Sequence, residues 1–329
     1  MNSLFVGPYR QNNLTGLTSL SILHHLAANV PTTHNLCCRN IYTESVNIDR
    51  TNQLCDKFLD LEHSAKRPDI IIQHVPVDSV YLNRAVYNIC IPIIDSRNIE
   101  MSQLIRLAAC NKILVDNSYS YQLLSTLIPN KISLINYSPI IVDIAEQLKL
   151  GVYQHTQKLY FVGTYAENMD LLHDLILTFI VSMSGNSDVS LLLFLTNMSQ
   201  KDVEALNKYV QQTYNDINVS NIFTKVIVIP IQPDLSIINN CHKTGDVYLA
   251  INDNPKNALN INYAKYHNKR VIDWSSLTYE YTYRRNKRIS SIGFHAPLQN
   301  SLVSIVTNCQ NEQTTATDTT QPIEQIIWE

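Results

Sequence analysis

The apolar positions of this chain fall into short continuous runs separated by stretches of helical spacing. Leu4-Phe5-Val6 and residues 35–38, 69–73, 87–94, 112–115 and 132–135 are such runs. Runs apolar on both faces are the pattern of strands buried inside a parallel sheet. Between them, residues 18–28, 49–61, 102–110 and 119–127 read as helices, with Leu54, Phe58 and Leu61 on one face of the second. The alternation then restarts. Strands are expected at 158–162, 189–195, 226–229, 247–250 and from Val271, and helices at 169–182, 199–214, 233–241 and 258–267. Ser199 with Asp202 reads as a capping-box-like helix start. Strand–helix alternation predicts a doubly wound parallel sheet, and its restart predicts two, of about five or six strands each.

The pattern loosens at residues 140–157, which sets the expected boundary: a first Rossmann-like domain over 1–147 and a second over 148–275. Residues 276–329 are expected to be a return segment and polar tail, with 311–321 low in complexity. A chain of 329 residues exceeds the usual limit of one core, which agrees with two domains. The net charge of −3 gives no reason to expect nucleic acid or an anionic membrane as partner. No run reaches a membrane-spanning length, and the N-terminus lacks a signal-peptide pattern. Seven scattered cysteines, several in apolar runs, are expected to be reduced, buried thiols, which points to the cytoplasm.

Chemistry concentrates where strands end. In open parallel sheets, ligands sit beyond the carboxyl ends of the strands. Between the strand at 247–250 and the helix from Ala258 lies the polar loop Asn252-Asp253-Asn254-Pro255-Lys256-Asn257, beside a helix N-terminus that favours anions. His74 and Asp95 each follow an apolar run and are the candidate proton acceptors. The sequence shows no Asp-x-Asp metal motif, no HExxH, no P-loop and no G-x-S-x-G.

The stretch from Gly245 to Trp274 resembles the end of the donor domain in GT-B-fold glycosyltransferases of the retaining, sucrose-synthase-like group. Gly245-Asp246-Val247-Tyr248 and Asn268-Lys269-Arg270-Val271-Ile272 match its two flanks. Phe5-Val6-Gly7-Pro8 and Gln73-His74-Val75-Pro76 resemble motifs of the first domain. The resemblance implies two Rossmann-like doubly wound parallel-sheet domains facing a cleft. It implies a nucleotide-sugar donor, a glycan or other small acceptor, retention of configuration, and neither metal nor further cofactor.

By the same resemblance, the donor would be held by Gly163, Thr164, Asn252, Asp253, Asn254, Lys256, Asn257 and Asn262. The acceptor would lie against Gly7, Pro8, Tyr9, Arg10 and Arg97, with His74 and Asp95 at the reacting centre. The chain departs from the family at its paired glutamates. Counting back from Val271-Ile272 puts Pro255 and Tyr263 at their positions, and a one-residue shift puts Asn254 and Asn262 there. The family's Arg and Lys after the second-domain glycine are also missing, leaving Lys256 or Lys225 to meet a phosphate. These departures leave open an inactive GT-B-like binding or scaffold protein, in a homo- or hetero-oligomer. A nucleobase-modifying glucosyltransferase shares the fold, but the charge of −3 does not favour it.

Overall fold

The computed structural model describes residues 1–11, 13–41, 58–62, 67–94, 99–142, 157–183, 188–217, 225–250, 258–273 and 321–328. The chain forms two compact units, one of Met1–Val142, Asn254–Tyr266 and Asp318–Glu329, the other of Asp143–Asp253 and His267–Thr317.

The first unit is built on β1 (Asn2–Gly7), β2 (Asn35–Asn40), β3 (Ile70–Pro76), β4 (Tyr87–Ile93), β5 (Lys112–Val115), β6 (Ile132–Asn136) and, from the far end of the chain, β12 (Gln321–Pro322). The sheet order is β12-β6-β5-β4-β3-β1-β2, with every pairing parallel. Its helices are α1 (Leu14–Ala28), α2 (Leu59–Glu62), α3 (Met101–Ala108), α4 (Ser118–Leu127), α8 (Ala258–Tyr266) and α9 (Ile323–Trp328). One face of the sheet packs Val75, Cys90, Ile113 and Val115 against Leu107, Leu124 and Ile128.

The second unit carries β7 (Gln157–Thr164), β8 (Val189–Thr196), β9 (Lys225–Ile231), β10 (Val247–Ala250) and β11 (Arg270–Asp273), ordered β11-β10-β7-β8-β9 and again all parallel. Its helices are α5 (Tyr165–Met183), α6 (Gln200–Ile217) and α7 (Leu235–Thr244). Leu191, Leu193 and Leu195 on β8 pack against Leu172, Ile176 and Phe179 of α5.

Two parallel Rossmann-like sheets are therefore present, with two corrections to their size and ends. The first sheet has seven strands, not five or six, because residues 321–328 return to it. Ile323 and Ile327 are buried there, so this end of the chain is a docked strand and helix. Helix α1 starts at Leu14, earlier than its apolar spacing suggested, because Asn13 caps it by accepting from Gly16 N–H at 2.8 Å. The capping box at Ser199 is formed in both directions: Asp202 accepts from Ser199 N–H at 2.8 Å, and Asp202 N–H donates to Ser199 Oγ at 3.3 Å. Five described cysteines, Cys37, Cys38, Cys90, Cys110 and Cys241, are free and buried. Among the described residues, no helix is long and apolar enough to cross a membrane.

Candidate functional site

In each unit the strand order reverses at one place, and that crevice is where an open parallel sheet takes ligands. In the first unit it lies between β1 and β3, since β1 leads outward to β2 and the chain then returns to β3 on the other side. Val6 pairs with Gln73, so Gly7 at the end of β1 and His74 within β3 follow on neighbouring strands. Two candidate groups far apart in sequence are thus brought together by topology.

The residues after Gly7 are engaged in holding the fold. A Cβ on Gly7 would approach Ser19 Oγ to 2.4 Å, so helix α1 needs glycine there. Tyr9 is fully buried and its hydroxyl donates to Glu62 Oε1 at 2.5 Å. Arg10 grips both oxygens of Glu62, at 3.0 Å each, in a half-buried bidentate pair. Burial, with Cys38 and Glu62 adjacent, drives the Tyr9 phenol far above its ordinary pKa of 10.0, so it stays protonated and donates. Burial likewise pushes the Cys38 thiol up to about 11. The side chains of Tyr9 and Arg10 therefore fix the turn after β1. Pro8 accepts from Gln11 N–H at 2.9 Å through its carbonyl and is buried with them.

His74 does not end its strand, because β3 continues to Pro76. Val75 faces the cluster around Cys90, so His74 faces the other side of the sheet. Its ring is 4% exposed, and Nδ1 has no hydrogen-bond partner among the described residues. Burial lowers its pKa to about 3, which leaves it neutral and able to accept a proton or a hydrogen bond. Gln73 has a structural role: it donates to Tyr81 O at 2.8 Å and accepts from Tyr81 N–H at 2.9 Å, pinning the turn after β3. Asp95 and Arg97 lie outside the described residues.

In the second unit the reversal falls between β7 and β10. Strand β7 ends in Gly163 and Thr164, and helix α5 begins at the next residue, Tyr165. Thr164 stands opposite Thr196 at the end of β8, with their hydroxyl oxygens 3.3 Å apart. Asn168 donates to Thr164 O at 2.7 Å and holds this first turn. Gly163 also has a packing reason, since a Cβ would meet the Phe161 ring at 2.4 Å. Strand β10, on the other side of the crevice, runs into the loop carrying Asn252, Asp253, Asn254, Lys256 and Asn257, which lies outside the described residues. Lys225 opens β9 and so sits at the amino end of its strand, away from the ligand-binding edge of the sheet. The Gly245-Asp246 motif is accounted for by packing: a Cβ at 245 would meet Tyr160 at 2.0 Å, and Asp246 accepts from Lys158 N–H at 2.8 Å.

Asn262 lies on α8 and belongs to the first unit, where α8 packs against α1. Its neighbour Tyr263 is fully buried and donates to Ile140 O at 2.5 Å. Around Asn262 the structure gathers residues that the apolar pattern did not single out. Asp116 follows β5, Tyr137 follows β6, and Thr18 is on α1. Asp116, Asn262 and Thr18 surround the Tyr137 hydroxyl and interact with it, and burial drives its pKa well above the ordinary 10.0. Burial pushes the Asp116 carboxyl up to about 6, against a donated bond from Asn117 Nδ2 at 3.1 Å that favours its charge. The available sequence signal was a polar residue directly after each of two adjacent strands. Among the described residues, no group of His, Cys, Asp and Glu is arranged to hold a metal ion.

No protein-family model matches the chain, and no curated protein matches it. Solved structures do. S. aureus MnaA with UDP matches at 9% identity and a TM-score of 0.50, over 93% of this chain and 87% of that one. A Thermobaculum terrenum O-GlcNAc transferase matches at 10% identity and 0.48, over 83% and 52%. WaaG, a glycosyltransferase of lipopolysaccharide biosynthesis, matches at 12% and 0.46, over 92% and 90%. At these identities the likeness is one of fold, and the fold is the two-domain, Rossmann-like GT-B class.

Proposed function

We propose that the chain is a glycosyltransferase that moves a sugar from a nucleotide-sugar donor to an acceptor, without a metal ion and with retention of configuration. One observation carries this reading. The strand-order reversal of the second unit falls at β7 and β10, whose carboxyl ends are Gly163-Thr164 and the start of the 252–257 loop. These are the segments that the family resemblance assigns to the donor. The N-terminal end of α5, with its helix dipole, suits a diphosphate. By the family resemblance, Lys256 would supply a cation from the loop that follows β10, and the side chains of Asn252, Asp253, Asn254 and Asn257 are of the kind that bonds sugar and ribose hydroxyls. The UDP in the MnaA structure supports a nucleotide ligand for this fold. The acceptor lies on the first unit, near Gly7 and Pro8, with neutral His74 on β3 and with Asp95 and Arg97 as further candidates. Helix N-termini and Lys256 stabilise the charge that develops on the departing diphosphate.

A second reading, a GT-B-like binding or scaffold subunit without transfer, is favoured by Tyr263. In one alignment it replaces an acidic anchor, and it is buried and bonded to Ile140 O. The deciding experiment measures release of nucleoside diphosphate from UDP-, GDP- and ADP-sugars, with water or a panel of glycosides as acceptor. Turnover that is lost in Thr164→Tyr supports transfer. Binding without release supports the scaffold.

A further inference from the structure

A sheet edge is a row of N–H and C=O groups with no strand to meet them, and folded chains shorten, charge or cover such edges. Among the described strands, β12, β2, β11 and β9 stand at the edges of the two sheets. β12 has two residues, and β11 has four with Arg270 exposed. β2 has α2 packed against it, and Cys38 Sγ donates to Phe58 O at 3.7 Å. β9 has none of this protection along its middle. It runs for seven residues, Lys225-Val226-Ile227-Val228-Ile229-Pro230-Ile231, all paired with β8. Among the described residues, no strand pairs with its other side. Val226, Ile227, Val228 and Ile229 are half-buried, while every residue of β8 is buried. Val226 and Val228 pack on the cluster around Leu191 and Leu193, so Ile227 and Ile229 face the other side of the sheet. The exposed Lys225 and Pro230 only flank this apolar run.

The backbone decides what fits this edge. Proline has no N–H, and within sheets its nitrogen sits on the side away from the ladder. With Pro230 turned outward, the N–H and C=O of Val226 and Val228 point outward too, because alternate residues bond on the same side of a strand. Another extended strand meets such a row of groups. The residues point to a second copy of this chain. An antiparallel pair about a two-fold axis at Ile227 sets Val226 opposite Val228 of the second copy, where the two exchange both bonds, and Ile227 opposite its own equivalent. Lys225 then meets Ile229. The two Lys225 residues lie about 13 Å apart along the pair, beyond the Debye length at physiological salt, so like charges do not face each other. An axis at Val228 would instead set Val226 opposite Pro230, which has no N–H to return.

We propose that β9 is a dimer interface, at which two copies of this chain join their five-stranded sheets edge to edge, antiparallel at β9. The assignment is independent of the proposed transfer. Strand pairing alone covers less than the roughly 1,600 Å² of a standard interface, so the dimer should be weak, with a Kd of about 10–100 µM. The test is sedimentation equilibrium of the full chain from about 5 to about 500 µM, a range that brackets this Kd. The mass should rise from that of one chain toward that of two. Val228→Pro deletes an outward N–H and keeps the bonds to β8. It should weaken the dimer by about 10- to 100-fold, since the two-fold axis doubles the loss. Ile227→Cys tests the register without touching the backbone. Facing residues at a non-hydrogen-bonded position have Cα atoms about 4.5 Å apart, within disulfide reach. Mild oxidation should link two copies through residue 227, located by peptide mapping. Ile229→Cys, about 13 Å from its own equivalent, should not link. If Val228→Pro fails to fold, the two cysteine variants decide alone. A wild type that keeps the mass of one chain at about 500 µM would overturn the assignment. So would a dimer that Val228→Pro leaves unchanged, or linking at 229 and not at 227.

Discussion

The return of the chain end to the first sheet makes a quantitative claim about stability. Ile323 is fully buried and Ile327 nearly so, on a helix of six residues that is too short to stand alone. Its docking must come from packing, from the β12–β6 pairing, and from one polar tie. Ser138 N–H donates to His25 Nδ1 at 3.2 Å, so the ring proton sits on Nε2 and points at Glu324 Oε2, 2.6 Å away. Truncating a buried isoleucine to alanine costs about 2–5 kcal/mol. Losing a hydrogen bond to a charged group costs about 1.5–3 kcal/mol, and partial exposure of Glu324 puts this one at the low end. Ile323→Ala should therefore destabilise the first unit more than Glu324→Ala does. Against a typical total of about 5–15 kcal/mol, either loss is easily measured. The assay is urea unfolding followed by tryptophan fluorescence, since Trp328 lies in this helix against His34. If Ile323→Ala leaves the first transition where the wild type has it, residues 321–328 are not part of this core.

Three further outcomes follow. His74 has a folded pKa of about 3 against an ordinary 6.5, so the unfolded chain binds a proton across that window and the folded chain does not. Stability from this group is complete above pH 6.5 and falls as pH drops toward 3, by up to about 1.4 kcal/mol per pH unit. His74→Leu should flatten the acid limb of a stability–pH curve, and an unchanged slope would refute the buried, neutral ring. Cys37, Cys38, Cys90, Cys110 and Cys241 should resist a thiol reagent in the native protein and react on unfolding; fast native labelling at Cys38 would contradict its burial. Lys256→Ala should weaken UDP or GDP binding by roughly 10- to 100-fold, the loss of a charge-assisted bond of about 1.5–3 kcal/mol, while Asn254→Ala should cost less. Equal binding by Lys256→Ala in calorimetry would remove this loop from the phosphate site.

The strands were legible because parallel-sheet strands are apolar on both faces, and β3, β4 and β8 are the plainest cases. Ser199 with Asp202 was legible because a capping box is local. What escaped was long-range. Nothing local in Gln321–Trp328 says that it pairs with β6, some 185 positions earlier by number, and a low-complexity stretch before it hid the signal. The resemblance picked out Gly7, Gly163, Tyr9 and Arg10 for ligands, and each has a structural reason in the fold: two glycines make room for Ser19 and Phe161, and Tyr9 and Arg10 converge on Glu62. Glu62 itself gave no signal, because its role depends on residues 52 and more positions away. Asp116 and Tyr137 were passed over for the same reason, since a polar residue after a strand gains meaning only once α8 is seen to pack there.

The proposed function requires the crevice beyond β7 and β10 to hold the diphosphate of a nucleotide sugar. The most direct measurement is a co-crystal structure of the chain with the best-binding member of a UDP-, GDP- and ADP-sugar panel. The diphosphate should lie against the first turn of α5, at Gly163 and Thr164, with Lys256 on a phosphate oxygen. A nucleotide bound elsewhere, or no binding by any of the panel at about millimolar concentration, would contradict it.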